Sequence, residues 1–222
     1  RSQRYALGGA GNVVANLAAL GVGHIAVFGV VGTDPFGPVL RGLLAEHAAV
    51  DTASLLTCMD ASAWQTAVYV KPLVGTEEQQ RIDFGSLNAL PPASADELLG
   101  CVEDALPTLD LLVVNQQILR GLHTPHFSAG LNALLKAKPE KPVLLDARDV
   151  QDRYPRAWLK LNEEEALRLY GCPPDSEKRP VLDVLLRAIR GIHASSGRPV
   201  FVTRGDRGCI VADGADLHRL DP

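Results

Sequence analysis

Two polar residues one helical turn apart, Asn162 and Glu165, are the first candidates for chemistry. They follow the apolar run 157–161 and begin a segment that stops at Gly171, which predicts a strand followed by a helix. Asparagine is a good N-cap and acidic residues suit the positive end of a helix, so capping alone explains both. The alternative is a site for hydrated Mg²⁺, which keeps several waters and takes few carboxylates.

A glycine-rich turn, Thr203-Arg-Gly-Asp-Arg-Gly208, separates the strand-like runs 199–203 and 209–212. One interpretation is a hairpin turn that uses glycine at positive φ. The other is a nucleotide contact made by the Thr203 hydroxyl, by Arg204 and by the backbone.

Asp146 and Arg148 follow the apolar run 142–145. They form either a local ion pair or two groups that face a reaction centre. Polar residues end other apolar runs as well, and ligands bind beyond the carboxyl ends of the strands in a parallel sheet. The residues predicted to converge in this way are Asp34, Asn115, Asp146, Arg148, Asn162 and Thr203.

Near the start of the chain, a glycine loop precedes apolar residues at helical spacing. Gly8, Gly9 and Gly11 allow tight turns, Asn12 is predicted as the N-cap of a short buried helix, and Gly21 is predicted to end it. The loop either serves turn geometry alone or binds a polar or anionic ligand at the helix N-terminus. A dinucleotide fingerprint is the weaker alternative, because the third glycine is missing.

Residues 66–84 contain two stretches of β character, TAVYVK and QQRIDF, joined by a polar loop. They predict a hairpin with one wet face. The charged and amide groups there, among them Arg81, belong either to a solvated strand edge or to a lid whose polar side meets a substrate.

Strands and helices alternate along the rest of the chain, which predicts an α/β fold with a doubly wound, mainly parallel sheet. The predicted strands span about 24–31, 109–114, 142–145, 157–161 and 199–203. The predicted helices follow Asp34-Pro35 and span about 94–106, 124–137, 163–170 and 179–194.

The composition favours a cytoplasmic globular protein. The 222 residues carry a formal net charge of -4 with scattered basic residues, so we expect no nucleic-acid partner. No apolar run is long enough to span a membrane. The four cysteines show no metal-binding spacing and are predicted to be reduced structural residues.

The order and spacing of these motifs resemble the PfkB (ribokinase-like) carbohydrate kinases along nearly the whole chain. The segments that carry the resemblance are Gly8-Gly9…Asn12…Leu20-Gly21, Gly29-Val-Val-Gly32-Thr-Asp34, LLDAR, LKLNEEEA and VTRGDRG. The resemblance implies one kinase domain over 1–222 with a Rossmann-like body. It also implies a small β lid, about 1–10 and 64–86, that often mediates dimers in this family.

The same resemblance implies phosphorylation of a sugar or sugar phosphate by ATP with Mg²⁺. Gly8, Gly9, Asn12 and Arg81 would bind the sugar. Asn162 and Glu165 match the N-x-x-E motif, with Glu165 acting on Mg²⁺ through water. The other residues expected to border ATP are Asp146, Arg148, Thr203, Arg204, Gly205 and Gly208. The QQRIDF segment is similar to the heptose kinase half of ADP-heptose synthases.

Two family features are missing from these residues: an opening strand with a sugar-binding Asp, and the Gly-Ala-Gly-Asp motif that supplies the catalytic base. We therefore expect an inactive piece of a longer kinase. The alternatives are a non-catalytic sugar- or nucleotide-binding regulatory module on the same fold and a nucleotide-binding oxidoreductase.

Overall fold

A computed structural model describes residues 3–172, 181–214 and 216–222. The chain divides into two compact units. The first comprises residues 1–108 and 117–137, and the second comprises residues 109–116 and 138–222.

The first unit combines helices with short strands that pair two by two. Its helices are α1 (Ala10–Ala19), α2 (Phe36–Ala45), α3 (Pro92–Ala105) and α4 (Pro125–Ala137). Its strands are β1 (Ile25–Ala26), β2 (Gly29–Val31), β3 (Val50–Asp51), β4 (Leu55–Thr57), β5 (Val68–Val70), β6 (Leu73–Val74), β7 (Glu77–Glu78) and β8 (Ile82–Phe84).

The single strand predicted for 24–31 is wrong, because the structure divides it between two partners. β1 pairs in parallel with β3, whereas β2 pairs in parallel with β4. The break lies at residues 27–28, where the Val27 N–H still bonds to Asp51 and the Gly29 N–H turns to Ser54. The apolar run 24–31 is continuous in the sequence, but the structure divides it into two strands that pair with different partner strands.

Helix α1 begins at Ala10, three residues earlier than predicted, so Asn12 is not its N-cap. Gly9 takes that position with a φ of 51°, a conformation that favours glycine. The Asn12 N–H donates to the carbonyl of Gly9 at 3.1 Å. None of the α1 residues is fully buried, which corrects the predicted buried helix, although Val14 packs against a small apolar cluster. Gly21 has a φ of 83° just beyond the helix, as predicted.

The hairpin predicted for residues 66–84 is present. β5 pairs antiparallel with β8, and the shorter strands β6 and β7 pair near its tip. Several large apolar side chains on it are exposed: Tyr69, Leu73, Val74, Ile82 and Phe84.

The base of this hairpin is held by the carboxylate of Asp34. Its Oδ2 accepts from the Thr66 N–H at 2.7 Å and its Oδ1 from the Phe36 N–H at 3.0 Å. The buried Thr66 hydroxyl in turn accepts from the Gly32 N–H at 3.0 Å. Partial burial raises the pKa of Asp34, but these hydrogen bonds lower it by more, so the pKa lies below its ordinary 3.8.

Replacing Asp34 with asparagine should destabilise the protein at neutral pH by about 1.5–3 kcal/mol, the usual range for hydrogen bonds to a charged group. Because the pKa of folded Asp34 is lowered, its contribution is complete above the unfolded pKa and disappears as pH falls through the folded pKa. The difference between the wild type and D34N should therefore shrink between pH 7 and pH 3 in urea unfolding. In the control Asp60→Asn, the lost carboxylate is exposed and bonds only to residues 62 and 63, so a smaller effect is expected.

The second unit is organised around a six-stranded sheet, counted over the described residues. Its strands are β9 (Leu112–Gln116), β10 (Val143–Ala147), β11 (Trp158–Asn162), β12 (Val200–Thr203), β13 (Cys209–Ala212) and β14 (Leu217–Leu220). β9 to β12 are parallel, and β13 and β14 continue the sheet in antiparallel fashion beyond β12. The core contains fully buried side chains of Leu161, Leu185, Ile189, Val200 and Val202.

Two α-helices belong to this unit, α5 (Glu163–Leu169) and α6 (Leu182–Ser196), within the part of the chain that the structure describes. The start predicted for α6 near 179 lies outside the described residues, which resume at 181. Over those same residues, the helices are too short or too polar to cross a membrane.

Candidate active site

The carboxyl ends of the parallel strands place polar side chains side by side. Asp146 on β10 stands opposite Asn115 on β9 and Lys160 on β11, and Asn162 on β11 stands opposite Thr203 on β12. Directly paired residues project from the same face of a sheet. The convergence expected from the sequence is therefore present for the strand ends of the second unit.

The ion pair at this edge joins Asp146 to Lys160, so the alternative of a local pair between Asp146 and Arg148 is wrong. The Lys160 Nζ lies 3.1 Å from Asp146 Oδ1, and the Asn115 amide donates to Asp146 Oδ2 at 3.4 Å. Lys160 keeps 35% and Asp146 21% of the side-chain surface exposed, so both can meet a ligand. Sequence reasoning missed Lys160, although a lysine within the apolar run AWLKL was the available signal.

Arg148 is exposed, and a buried amide fixes its backbone. The Gln116 Oε1 accepts from the N–H groups of Arg148 at 2.8 Å and Asp149 at 3.1 Å. Gln116 itself is only 3% exposed. This residue, also missed, holds the segment after β10 in place and leaves the Arg148 guanidinium at the surface.

Asn162 and Glu165 form a reciprocal capping box at the start of α5. The Asn162 side chain accepts from the Glu165 N–H at 2.8 Å, and the Glu165 carboxylate accepts from the Asn162 N–H at 2.8 Å. The capping interpretation is thus confirmed, and the Mg²⁺ role stays a prediction. The described residues contain no group of three or more His, Cys, Asp or Glu suited to a metal. One carboxylate acting through water fits the sparse ligand set that Mg²⁺ uses.

The turn after β12 has the glycine geometry expected from its sequence. Gly205 has a φ of 60° and Gly208 a φ of 74°, and the Arg204 N–H donates to the Gly208 carbonyl at 2.9 Å. The Thr203 hydroxyl donates to the carbonyl of Leu161 at 3.3 Å, which ties the turn to β11. Nucleotide contacts by this turn stay a prediction.

Arg204 is buried and already paired, which sequence reasoning did not foresee. Its Nε lies 3.0 Å from Glu163 Oε1, and the residue is 6% exposed. Arg207 Nη2 lies 2.5 Å from the other carboxylate oxygen, Oε2. Within this turn, the Thr203 hydroxyl and the backbone are therefore more accessible to a nucleotide than the Arg204 side chain.

The glycine loop and the hairpin meet at Gln117 in the first unit. A Cβ on Gly9 would lie 3.7 Å from Gln117 Cγ, and the Tyr69 hydroxyl lies 3.4 Å from the Gln117 carbonyl oxygen. The guanidinium of Arg81 stacks over the Tyr69 ring at 4.4 Å from its centre.

Arg81 also forms a two-pronged ion pair with Asp83, at 2.7 and 2.8 Å. That carboxylate raises the pKa of Arg81 above its ordinary value. Gly8 and Asn12 are exposed. The sequence-predicted residues thus fall into two sets, the sugar candidates in the first unit and the nucleotide candidates in the second.

The fold is that of the ribokinase-like sugar kinases. Phosphofructokinase-2 from Escherichia coli in complex with fructose-6-phosphate is 19% identical, with a TM-score of 0.69 over 97% of this chain and 68% of its own. Arabidopsis thaliana ribokinase complexed with ribose and ATP is 20% identical, with a TM-score of 0.72 over 96% of this chain and 66% of its own.

The chain belongs to the pfkB family of carbohydrate kinases, whose sequence profile matches residues 1–222. Enzymes of this family are phosphotransferases that act on hydroxyl groups. The bifunctional protein HldE of Rhodospirillum rubrum is 32% identical over 98% of this chain and 42% of its own length. HldE of Caulobacter vibrioides is 30% identical over 93% of this chain and 40% of its own length. The chain thus spans less than half the length of these relatives.

Proposed function

We propose that this chain is the kinase region of a longer polypeptide, in which it transfers the γ-phosphate of ATP to a hydroxyl of a sugar or sugar phosphate. The observation that carries the proposal is the row of polar groups at the carboxyl ends of β9 to β12, which is where such folds bind ligands. Membership in a carbohydrate kinase family supports the activity. The similarity to part of a longer bifunctional protein supports the longer polypeptide.

In this proposal the second unit binds the nucleotide. Lys160 and Arg148 supply positive charge to the phosphates, while Asp146 orients Lys160 through their ion pair. Thr203 and the backbone at Gly205 and Gly208 border the nucleotide. Asn162 sets the start of α5, so that the Glu165 carboxylate meets Mg²⁺ through water. When bound, Mg²⁺ neutralises charge on the phosphate oxygens.

The first unit binds the acceptor. Gly8 and Gly9 let the backbone approach a polyol closely, and the exposed Asn12 amide offers both a donor and an acceptor. Arg81, held by Tyr69 and Asp83, presents a cation to a phosphorylated sugar. A heptose phosphate is the acceptor we favour, because QQRIDF is similar to the heptose kinase half of ADP-heptose synthases.

The catalytic base is outside these residues in our proposal. Gly-Ala-Gly-Asp does not occur among the 222 residues, and in this family it supplies the base and an anion hole. Phosphoryl transfer depends on positioned donors around the moving phosphate. The 222 residues alone should therefore be inactive or nearly so.

The exposed apolar side chains on the hairpin suggest a homodimer through this lid. Four of these side chains are each at least 41% exposed, namely Tyr69, Leu73, Val74 and Ile82. The strands that carry them are only two or three residues long. Such a surface is typical of an interaction site. Sedimentation of the natural polypeptide should show a dimer that Leu73→Lys weakens.

We propose that the protein works in the cytoplasm.

A coupled ADP-release assay of the natural polypeptide tests the proposal against sugars, sugar phosphates and nucleosides. We expect MgATP-dependent ADP release with a sugar or sugar phosphate above the rate with water. Binding of ATP and a sugar without turnover would favour the non-catalytic regulatory module. Binding of NAD without ATP would instead favour an oxidoreductase.

A further inference from the structure

A single largely buried carboxylate, Glu163, holds two arginines of the turn after β12. Its Oε1 lies 3.0 Å from Arg204 Nε, and its Oε2 lies 2.5 Å from Arg207 Nη2. The two arginines stand 41 and 44 positions further along the chain. These contacts are therefore tertiary links between the start of α5 and the turn.

Because this cluster is largely buried, its arginines depend on the Glu163 carboxylate as their charged partner. The side chain of Arg204 is 4% exposed and that of Glu163 is 12% exposed. Buried Arg204 Nη1 and Arg207 Nε find no hydrogen-bond partner among the described residues. A buried charge is costly unless it is paired. Removing the Glu163 charge would leave the buried guanidinium of Arg204 without its charged partner, and the turn would have to move to expose it.

The cluster joins the two segments assigned above to MgATP. Glu163 lies between Asn162 and Glu165, which form the capping box. Arg204 and Arg207 lie within the turn assigned to the nucleotide. The helix-dipole effect, which explained the acidic run in the sequence, does not distinguish Glu163 from Glu164. The structure does, because Glu164 is exposed and has no hydrogen bond or ion pair among the described residues.

We propose that Glu163 is a positioning residue for MgATP, which fixes the Thr203–Gly208 turn relative to the Asn162–Glu165 segment. The inference rests on the proposed kinase function. Glu163 need not touch the nucleotide or the metal, because both of its carboxylate oxygens are occupied by arginine. Among the three consecutive glutamates, Glu165 therefore keeps the role toward Mg²⁺ that the proposed function gives it.

The test compares Glu163→Gln with Glu164→Gln in the natural polypeptide. Both changes remove one negative charge from the first turn of α5, but only E163Q removes the charged partner of buried Arg204 and of half-buried Arg207. We expect E163Q to weaken MgATP binding by about 10- to 100-fold, as loss of a charge-assisted hydrogen bond would. In E163Q, the KM for the sugar should change by less than about twofold. E164Q should leave both quantities near the wild-type values.

Calorimetric titration with MgATP, well below the melting temperature of each variant, separates positioning from unfolding. Hydrogen exchange of the amides at 205–208 gives a second readout, and it should be faster in E163Q than in E164Q. If E163Q is not folded, Arg207→Gln replaces it, because Arg207 is 30% exposed and its loss keeps the Glu163–Arg204 pair. For R207Q we expect a smaller loss of MgATP affinity, about three- to tenfold.

Two results would overturn the inference. One is a folded E163Q, or a folded R207Q where E163Q is not folded, that binds MgATP as tightly as the wild type. The other is an equal loss in E164Q. If the wild type binds no ATP at all, the proposed function fails instead. Exchange at 205–208 still reports whether Glu163 fixes the turn.

Discussion

Alanine at position 208 should destabilise the protein by about 3–5 kcal/mol, combining backbone strain with overpacking. Gly208 has φ 74° and ψ -138°, which side-chain-bearing residues rarely adopt. A Cβ there would overlap the Leu220 carbonyl oxygen on the neighbouring strand β14 and lie 3.0 Å from the Asp221 carbonyl carbon. Both obstacles are backbone atoms, so no side chain can rotate to relieve the overlap. The free energy of unfolding in urea measures the loss.

Gly205→Ala in the same turn is the matched control. Gly205 has a φ of 60°, but a Cβ there would meet no heavy atom within 4 Å. Only the left-handed conformation is penalised, at about 1–2 kcal/mol. If G208A costs no more than G205A, the close packing of the turn against β14 is not as the structure shows it.

Exchanging Glu165 for glutamine should lower kcat/KM for MgATP by about 10- to 100-fold, the usual cost of losing a group that acts on a metal through water. Higher Mg²⁺ should recover part of the loss. The amide oxygen of the new side chain in E165Q can still accept the hydrogen bond from the Asn162 N–H, so the capping box is largely kept. Stability should therefore change by less than about 1 kcal/mol. Initial rates over a range of Mg²⁺ concentrations, with unfolding curves beside them, provide the measurement.

Glu164→Gln serves as the control here too, because it removes the same charge from an exposed neighbour in the same turn. Its Mg²⁺ dependence should match that of the wild type. An E165Q protein with wild-type rates at low Mg²⁺ would contradict the metal role and leave Glu165 with its capping role alone.

The parts of the fold that follow local rules were predictable from the sequence. Alternating apolar strands and helices gave the parallel strands of the second unit, and polar residues after them gave the common edge with Asp146, Asn162 and Thr203. The glycine turn at 205–208 also follows from its residue types. Each of these predictions depends only on the type of a residue and on the residues next to it in the sequence.

The parts that depend on distant neighbours were not predictable. Asp146 pairs with Lys160 rather than with Arg148, which is closer in the sequence, because Lys160 stands opposite Asp146 on the adjacent strand. Arg204 pairs with Glu163 across 41 positions, which no spacing rule indicates. The cap of α1 is Gly9 rather than Asn12, because the glycine turns the chain at positive φ three residues earlier than the predicted cap.

Transfer of labelled phosphate tests the central claim most directly. The natural polypeptide is incubated with Mg²⁺ and ATP labelled in the γ position, with and without a heptose phosphate, and the products are separated. The kinase proposal predicts label on the sugar only when enzyme, Mg²⁺ and acceptor are all present, with E165Q slower by about 10- to 100-fold. Label that stays in ATP, or that reaches only inorganic phosphate, with every sugar and sugar phosphate tested would contradict it.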